Sequence, residues 1–340
     1  MLYVGQEAIP GHCLIERLGS GGFGEVWSAT GPDGNQVAMK FIPCQGKPAS
    51  TIAHEIRTMR RLQDLDHPHF IRLCGVCTSA SCVVIIMERA DGSLKDLPPA
   101  YQAESGRIPT AHVLELLEQA AVGLDFLAEV RVPGGSWQDA CLQHCDVKPS
   151  NLLLVGDTVK VADFGLCAVT GFETGLSGFR GTPPYAAPEL YEGRTTSRTD
   201  QYALAVTFCE LCMGPRAFVK DCNGFPCFRG PPIDLTRLRD PEFLVVGRAL
   251  SERWIDRYPS CREFVAALKR ASCSPRRVHR ASAAGVSRYE REKSSCGMQP
   301  VRGGTAEEAH APLETRIDSA LASSERSIGD GSRSKKARSS

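Results

Sequence analysis

The segment "QHCDVKPSN", residues 143 to 151, carries three side chains suited to moving a phosphoryl group. Asp146 can accept or orient the proton of an attacking hydroxyl. Lys148 can neutralise charge on the moving group, and Asn151 can ligate magnesium. Near the N-terminus, "LGSGGFGEVW" places Gly19, Gly21 and Gly24 in a G-x-G-x-x-G pattern. Glycine there lets backbone amides approach phosphate oxygens with no Cβ in the way. Further on, "VAMK" ends in Lys40, a cation that can bridge phosphates if a carboxylate holds it. Glu55 is the only acidic residue between Lys40 and Asp64. "VADFG" puts Asp163 before a glycine, where a carboxylate can ligate a magnesium ion bridging the phosphates. The loop after it ends in "GTPPYAAPEL", with Ala187-Pro188-Glu189.

Each piece alone has an ordinary explanation. A lysine at a strand end is commonly a solvated charge. The glycine pattern is shared with dinucleotide-binding folds, where it runs from a strand into a helix. Here "EVWSAT" continues the apolar–polar alternation, so the glycines run from strand to strand. No GxxxxGK[ST] loop occurs, which removes the P-loop reading.

These residues need elements to hold them. "HCLIERLG", "GEVWSAT" and "NQVAMKFI" read as three strands, with "GPDGN" a hairpin loop. Ile52, Ile56, Met59 and Leu62 recur at helical spacing over residues 50 to 65. "HPHF" breaks that helix, and "IRLCGVC" and "CVVIIME" follow as strands. Five strands and one helix make a small, mostly β lobe. Beyond "RADGSL", "TAHVLELLEQAAVGLDFLAE" is a long amphipathic helix with Thr110 as its expected N-cap. "VRVPGGSWQDA" reads as a loop. "TDQYALAVTFCELCMG" is apolar nearly all round, hence a buried helix, ended at Gly214-Pro215. "DPEFLVVGRALS" and "SCREFVAALKR" complete a helical lobe near Arg270. From Ala271 the composition turns to Ser, Arg, Ala and Gly, and a disordered tail is expected over 271–340.

A chain of 340 residues suits one two-lobed domain and an appendage. A net charge of +1 gives no global field that would favour nucleic acid or a membrane surface. Apolar runs such as "VVIIM" are too short to span a bilayer. "MLYVGQEAIPGH" lacks the basic and apolar regions of a secretory signal, so a cytoplasmic location is expected. The 15 cysteines are scattered through apolar segments, and most are expected as buried small hydrophobes in a reducing compartment. Cys74–Cys77 and Cys209–Cys212 have metal-like spacing, but both lie in apolar runs without a neighbouring His, and core packing is the expectation.

In this order and at these distances the motifs resemble the signature set of Hanks-type protein kinases, over about residues 11 to 270. "DVKPSN" resembles the Ser/Thr form of the catalytic loop, and "VKVADFGL", "DQYALAV" and "RYPSCREFVAAL" look most like bacterial members. The resemblance implies an α+β, two-lobed fold: a small antiparallel β lobe with one helix (1–88) and a larger, mainly helical lobe (89–270). It implies ATP and Mg2+ as cofactors and Ser/Thr hydroxyls of protein substrates as acceptors. Leu18, Gly19, Ser20, Gly21, Gly22, Phe23 and Gly24 would close over the nucleotide. Val26, Ala38 and Leu153 would sandwich adenine. Met87 would be the gatekeeper, and Glu88 to Ala90 the hinge whose backbone bonds the adenine edge. Lys40 and Glu55 would pair, Asp146 and Lys148 would serve transfer, and Asn151 and Asp163 would hold the metal. Met59, Leu73, His144 and Phe164 would stack into a spine anchored by Asp200, and Glu189 would pair with Arg257.

Cys145 stands where many of these kinases carry an arginine that clamps a phosphorylated loop, and a thiol makes no bidentate bonds to phosphate. With Asp146, Lys148, Asn151 and Asp163 present, chemistry is expected to survive and control to differ. Rival readings are a pseudokinase scaffold and a kinase-fold enzyme for small molecules, the latter disfavoured by "GTPPYAAPE".

Overall fold

Alternating apolar and polar residues build the N-terminal sheet. In the computed structural model its strands are β1 (Glu7–Ile9), β2 (His12–Gly21), β3 (Gly24–Thr30), β4 (Gln36–Pro43), β5 (Leu73–Ser79) and β6 (Cys82–Glu88). Their order is β1-β2-β3-β4-β6-β5, antiparallel throughout. The structure describes residues 2–21, 24–45, 56, 59–60, 62–79, 82–104, 107–130, 141–170, 181–214, 217 and 233–273. The chain divides into two units, Met1–Pro275 and Arg276–Ser340, and every described residue lies in the first.

Successive side chains of a strand leave opposite faces. One face of the sheet buries Leu14, Trp27, Ala29, Met39, Phe41 and Val84 as a cluster. Ala38 and Lys40 on β4 therefore leave from the other face, in register with Met87 and Ile85 of β6. Gly24, with φ of +115°, begins β3; a Cβ there would sit 1.9 Å from the Phe41 carbonyl oxygen, so only glycine fits. The sheet has one strand more than the five expected. β1 is three residues long, and its pairing with β2 is a tertiary contact that no pattern within "EAI" announces. Ile56, Met59, Arg60, Leu62 and Gln63 are helical as expected, while Ile52 lies outside the described residues.

The rest is mainly helical: α1 (Leu97–Glu104), α2 (Thr110–Glu129), α3 (Pro188–Tyr191), α4 (Thr199–Met213), α5 (Asp240–Ala249) and α6 (Cys261–Cys273). α2 runs over the expected residues, but Pro109 is its N-cap and Thr110 its first helical residue. Proline's fixed φ suits the entry to a helix, which shifts the cap back by one. α4 is buried on nearly all sides, as its composition demands, and stops at Gly214 with φ of 72°. Two small sheets lie in this part, β7 (Gly92–Ser93) with β9 (Leu152–Val155) and β10 (Thr158–Val161), and β8 (Leu142–Gln143) with β11 (Ala168–Val169). The loop expected over "VRVPGGSWQDA" lies, from Arg131 to Ala140, outside the described residues. The tail is expected from Ala271, but α6 continues through Cys273 with Ala271 buried, and the rest of the tail, from Ser274, lies outside the described residues.

The cysteine expectation needs correcting. Among the described residues only Cys141, Cys145, Cys209 and Cys261 are buried, while Cys13, Cys74 and Cys273 are exposed and the others lie between. β5 is an edge strand, so Cys74 faces solvent despite its apolar neighbours. No described helix is long and apolar enough to cross a membrane.

Glu189 and Arg257 form a fully buried, two-bond ion pair at 2.8 Å per bond. The Glu189 carboxylate also accepts the Thr199 hydroxyl at 2.9 Å, which ties α3 to α4. Removing one partner strands a buried charge. Arg257→Ala is therefore expected to lower unfolding stability by about 3–5 kcal/mol, read from the denaturant midpoint. A loss under about 1 kcal/mol would mean Glu189 is satisfied by its threonines alone.

Candidate active site

The loop from His144 to Asn151 is shaped by a carboxylate of α4. Asp200 accepts the His144 N–H at 2.7 Å and the Cys145 N–H at 2.8 Å, all three residues being buried. Between these bonds Cys145 adopts φ of 65°, a left-handed conformation uncommon for a side chain with a Cβ. Burial pushes the Asp200 carboxyl up from its usual value, and the two amides and His144 work against that rise. The Asp146 N–H donates to His144 Nδ1 at 3.2 Å, which places the ring proton on Nε2, and Nε2 donates to the Ala162 carbonyl at 2.8 Å. His144 thus ties the catalytic loop to the strand before Asp163. Its ring meets Phe164 edge-on at 5.4 Å, and Met59, Leu73 and Phe164 are buried in one core.

The Asp146 carboxylate, itself buried, is fully engaged. Oδ1 accepts the Thr182 hydroxyl at 2.7 Å. Oδ2 accepts Lys148 Nζ at 2.8 Å and Asn151 Nδ2 at 3.0 Å. Lys148 Nζ also donates to Thr182 Oγ1 at 2.7 Å, and Asn151 Nδ2 to the Asp146 carbonyl at 2.8 Å. The sequence "GTPPY" delivers Thr182 because Gly181, at φ of 102°, passes close to the loop; a Cβ on it would lie 2.8 Å from the Cys145 carbonyl oxygen. That requirement was not read from the sequence, although the glycine beside Thr182 was its visible signal.

Across the cleft, Lys40 Nζ donates to Asp163 Oδ1 at 2.6 Å. Asp163 sits at φ 65°, ψ 62°, between β10 and the short helix Phe164–Leu166. Burial would raise its carboxyl, but the Lys40 charge and hydrogen bond outweigh burial and hold it below the usual carboxylate value. The pair's stabilisation is present at neutral pH and is lost as pH falls through that lowered value. Glu55, the expected partner of Lys40, lies outside the described residues.

Of the expected nucleotide residues, Gly19, Val26, Ala38 and Met87 share the face of the sheet that carries Lys40. Leu18, Gly19, Ser20 and Gly21 end β2, with Gly19 opposite Val26 and Gly21 opposite Gly24; Gly22 and Phe23 lie outside the described residues. Among the described residues nothing lies within 4 Å of where a Cβ on Gly19 or Gly21 would point, so packing against those residues does not demand these glycines. Val26 pairs with Lys40 across β3 and β4, and Ala38 with Met87 across β4 and β6. Leu153 lies on β9, opposite Ser93 of β7. At the hinge, the Glu88 N–H is taken by the Arg72 carbonyl at 3.0 Å, and its carboxylate by the Arg72 N–H and Lys160 Nζ, both at 2.7 Å. The Ala90 N–H has no partner among the described residues.

A metal here would find oxygen donors. Asn151 turns its Nδ2 to Asp146, leaving Oδ1, and Asp163 gives Oδ1 to Lys40, leaving Oδ2. Hard oxygen donors few in number suit magnesium, which is commonly held by one or two carboxylates and by phosphates. Among the described residues no group of three or more His, Cys, Asp or Glu could hold a metal ion. Two protein oxygens completed by phosphate oxygens are the coordination this set allows.

Comparison with known proteins agrees with this arrangement. A family model described as protein kinase domain matches residues 13–225. Cyclin-dependent kinase 4 of Ovis aries is 30% identical over 212 residues, covering 58% of this chain and 66% of that protein. Serine/threonine-protein kinase TIO of Arabidopsis thaliana is 31% identical over 209 residues, 60% of this chain and 15% of that protein. The chain thus spans just under two thirds of the Ovis aries cyclin-dependent kinase 4 and a far smaller part of the plant kinase. Among solved structures, the kinase domain of Mycobacterium tuberculosis PknI superposes with a TM-score of 0.60 at 27% identity, over 80% of this chain and 100% of that one. An antiparallel sheet carrying Lys40, a helical part carrying Asp146 and Asn151, and a family match over more than half the chain lead to one conclusion: the chain belongs to the protein kinase domain family.

Proposed function

We propose that this protein is an ATP-dependent kinase that phosphorylates Ser and Thr hydroxyls of protein substrates, with residues 1–270 as its catalytic part and 271–340 as an appendage. The observation that carries this reading is the closed set of bonds among Asp146, Lys148, Asn151 and Thr182, set against the Lys40–Asp163 pair. Asp146 orients the substrate hydroxyl and takes up its proton, held in place by three donors. Lys148 offsets charge gathering on the transferred group, and Lys40 does so at the phosphates left behind. Gly19, Ser20, Gly21 and the flanking Leu18 and Gly24, with Gly22 and Phe23, cover the phosphates. Val26, Ala38 and Leu153 enclose the adenine, Met87 lies at its inner edge, and the backbone from Glu88 to Ala90 bonds its rim. Asn151 and Asp163 would hold magnesium, which when bound would neutralise phosphate charge. The intact "GTPPYAAPE" segment supports protein as the substrate class.

The direct test is the purified full chain with labelled ATP and magnesium, with and without a generic Ser/Thr protein substrate. ATP binding without transfer would leave the scaffold reading standing. Asp146→Asn is expected to reduce transfer by about a thousandfold or more while ATP affinity stays within about twofold, because Asp146 acts on the acceptor. Near wild-type turnover would overturn the assignment of the loop.

Lys40→Ala should cripple transfer and Glu55→Ala should weaken it. A double-mutant cycle measures whether they act as a pair, since coupled charges depart from additivity. Strictly additive losses would remove Glu55 from the site.

Cys145 leaves the catalytic loop without the arginine that would clamp a loop phosphate. Phosphorylation of Thr170, which is buried, and of Thr174 and Ser177, both outside the described residues, is therefore expected to be unnecessary. After phosphatase treatment the double variant Thr174→Ala, Ser177→Ala should keep kcat within about twofold of wild type. A large drop would mean that another cation, Arg180 for example, serves as the clamp.

A further inference from the structure

Cys145 raises a positional problem. The segment from Asp163 to Glu189 must be fixed against the catalytic loop, and Cys145 offers no guanidinium to hold a phosphate there. Three contacts meet that need without charge. First, β8 and β11 pair, with Gln143 opposite Ala168 and Leu142 opposite Val169. Second, the pairing is closed one residue further by a two-way bond: the Thr170 N–H donates to the Cys141 carbonyl at 2.8 Å, and the Cys141 N–H donates to Thr170 Oγ1 at 3.0 Å. Cys141 Sγ lies 3.4 Å from the same hydroxyl oxygen, and both residues are buried. Third, Cys145 packs in a buried apolar cluster with Ala168, Ala186 and Leu190. Ala168 comes from the start of the segment and Ala186 from its end, so the thiol position joins both to the loop that carries Asp146.

We infer that Thr170 is a positioning residue for phosphotransfer: its hydroxyl, locked to the Cys141 amide, holds the start of the segment against the catalytic loop in the role a phosphate–arginine clamp fills elsewhere. The inference rests on the kinase reading above. Its physical basis is that a buried amide left unpaired is costly, whereas the paired one fixes both strands. The side-chain oxygen matters because an unpaired Cys141 N–H would follow its loss. A phosphate on Thr170 works in the opposite sense from an activating one. Among the described residues the Thr170 hydroxyl meets the Cys141 amide and thiol, and burying about two negative charges there opens the pairing. Thr170 therefore differs in kind from Thr174 and Ser177, although all three lie in the same stretch of sequence.

The test uses the full chain, phosphatase-treated, with Mg–ATP and a generic Ser/Thr protein substrate, and compares Thr170→Val, Thr170→Ser and Thr170→Glu. Valine keeps the shape and removes the acceptor; serine keeps the acceptor. Thr170→Val should lower kcat about tenfold with KM for ATP changed by less than about twofold, and Thr170→Ser should restore at least about half the rate. Thr170→Glu should fall at least as far as valine. Amide hydrogen exchange over residues 141–146 and 163–170 should speed up in the valine and glutamate variants and not in the serine one. That measurement reads the clasp whether or not the protein turns over. An inactive wild type with this exchange pattern would sink the kinase reading alone. Wild-type kcat and exchange in Thr170→Val, equal losses in valine and serine, or a gain of rate in Thr170→Glu would each overturn the positioning role.

Discussion

The site depends on one buried carboxylate. Asp200 reaches from α4 into the catalytic loop and takes two successive amides, those of His144 and Cys145. A fully buried acid is unfavourable on its own, and burial raises its carboxyl. Two short backbone bonds repay that and leave the loop little choice of conformation. The φ of 65° at Cys145 follows, because the chain must turn between the two amides. The turn then presents the Asp146 N–H to His144 and its carboxylate to Lys148, Asn151 and Thr182. α4 can serve as this anchor because it is buried on nearly every side, and its ends are fixed by the Glu189–Arg257 pair and by the turn at Gly214.

A second consequence concerns Thr182. Its hydroxyl donates to Asp146 and accepts from Lys148, so the two charged groups are joined by a neutral one. A lone pair of opposite charges at this distance would sit in any of several rotamers. With Thr182 between them, each charge has one position. The end of the segment that begins at Asp163 is thereby built into the shell of the Asp146 carboxylate, and the order of Thr182 and the order of Asp146 become one property. Gly181 permits it by approaching the Cys145 carbonyl more closely than any side chain allows.

Much of this was legible in the sequence. The strand periods, the long helix from Thr110 and the all-round apolar helix from Thr199 came from hydrophobic spacing, which burial enforces. Lys40, Asp146, Lys148, Asn151 and Asp163 stand out in the sequence by side-chain type and order, and in the fold Lys40 bonds Asp163 while Lys148 and Asn151 bond Asp146. Features fixed by partners distant in sequence were not legible. β1 is too short to carry a period. α1, "LPPAYQAE", opens with two prolines and has no apolar stripe. The left-handed turns at Cys145 and Asp163 occur at residues whose type gives no warning, since each is imposed from outside by Asp200 or by the turn into Phe164. The exposure of Cys74 follows from strand order, which the residue's apolar neighbours conceal.

Cys145 is the point where sequence and structure inform each other most. In the sequence it is an absence, an arginine not there. In the fold it is a contact, a small buried side chain among Ala168, Ala186 and Leu190. An arginine at this position needs water or an anion at its head, and the three neighbours offer neither. The replacement is therefore matched by its surroundings. Alanines at 168 and 186 leave a space that a thiol fills, and the hydroxyl of Thr170 supplies the polar bond one strand position away. Apolar contact and neutral hydrogen bonds need no phosphate in order to form, so the contacts made at Ala168, Thr170 and Ala186 are written into the chain itself.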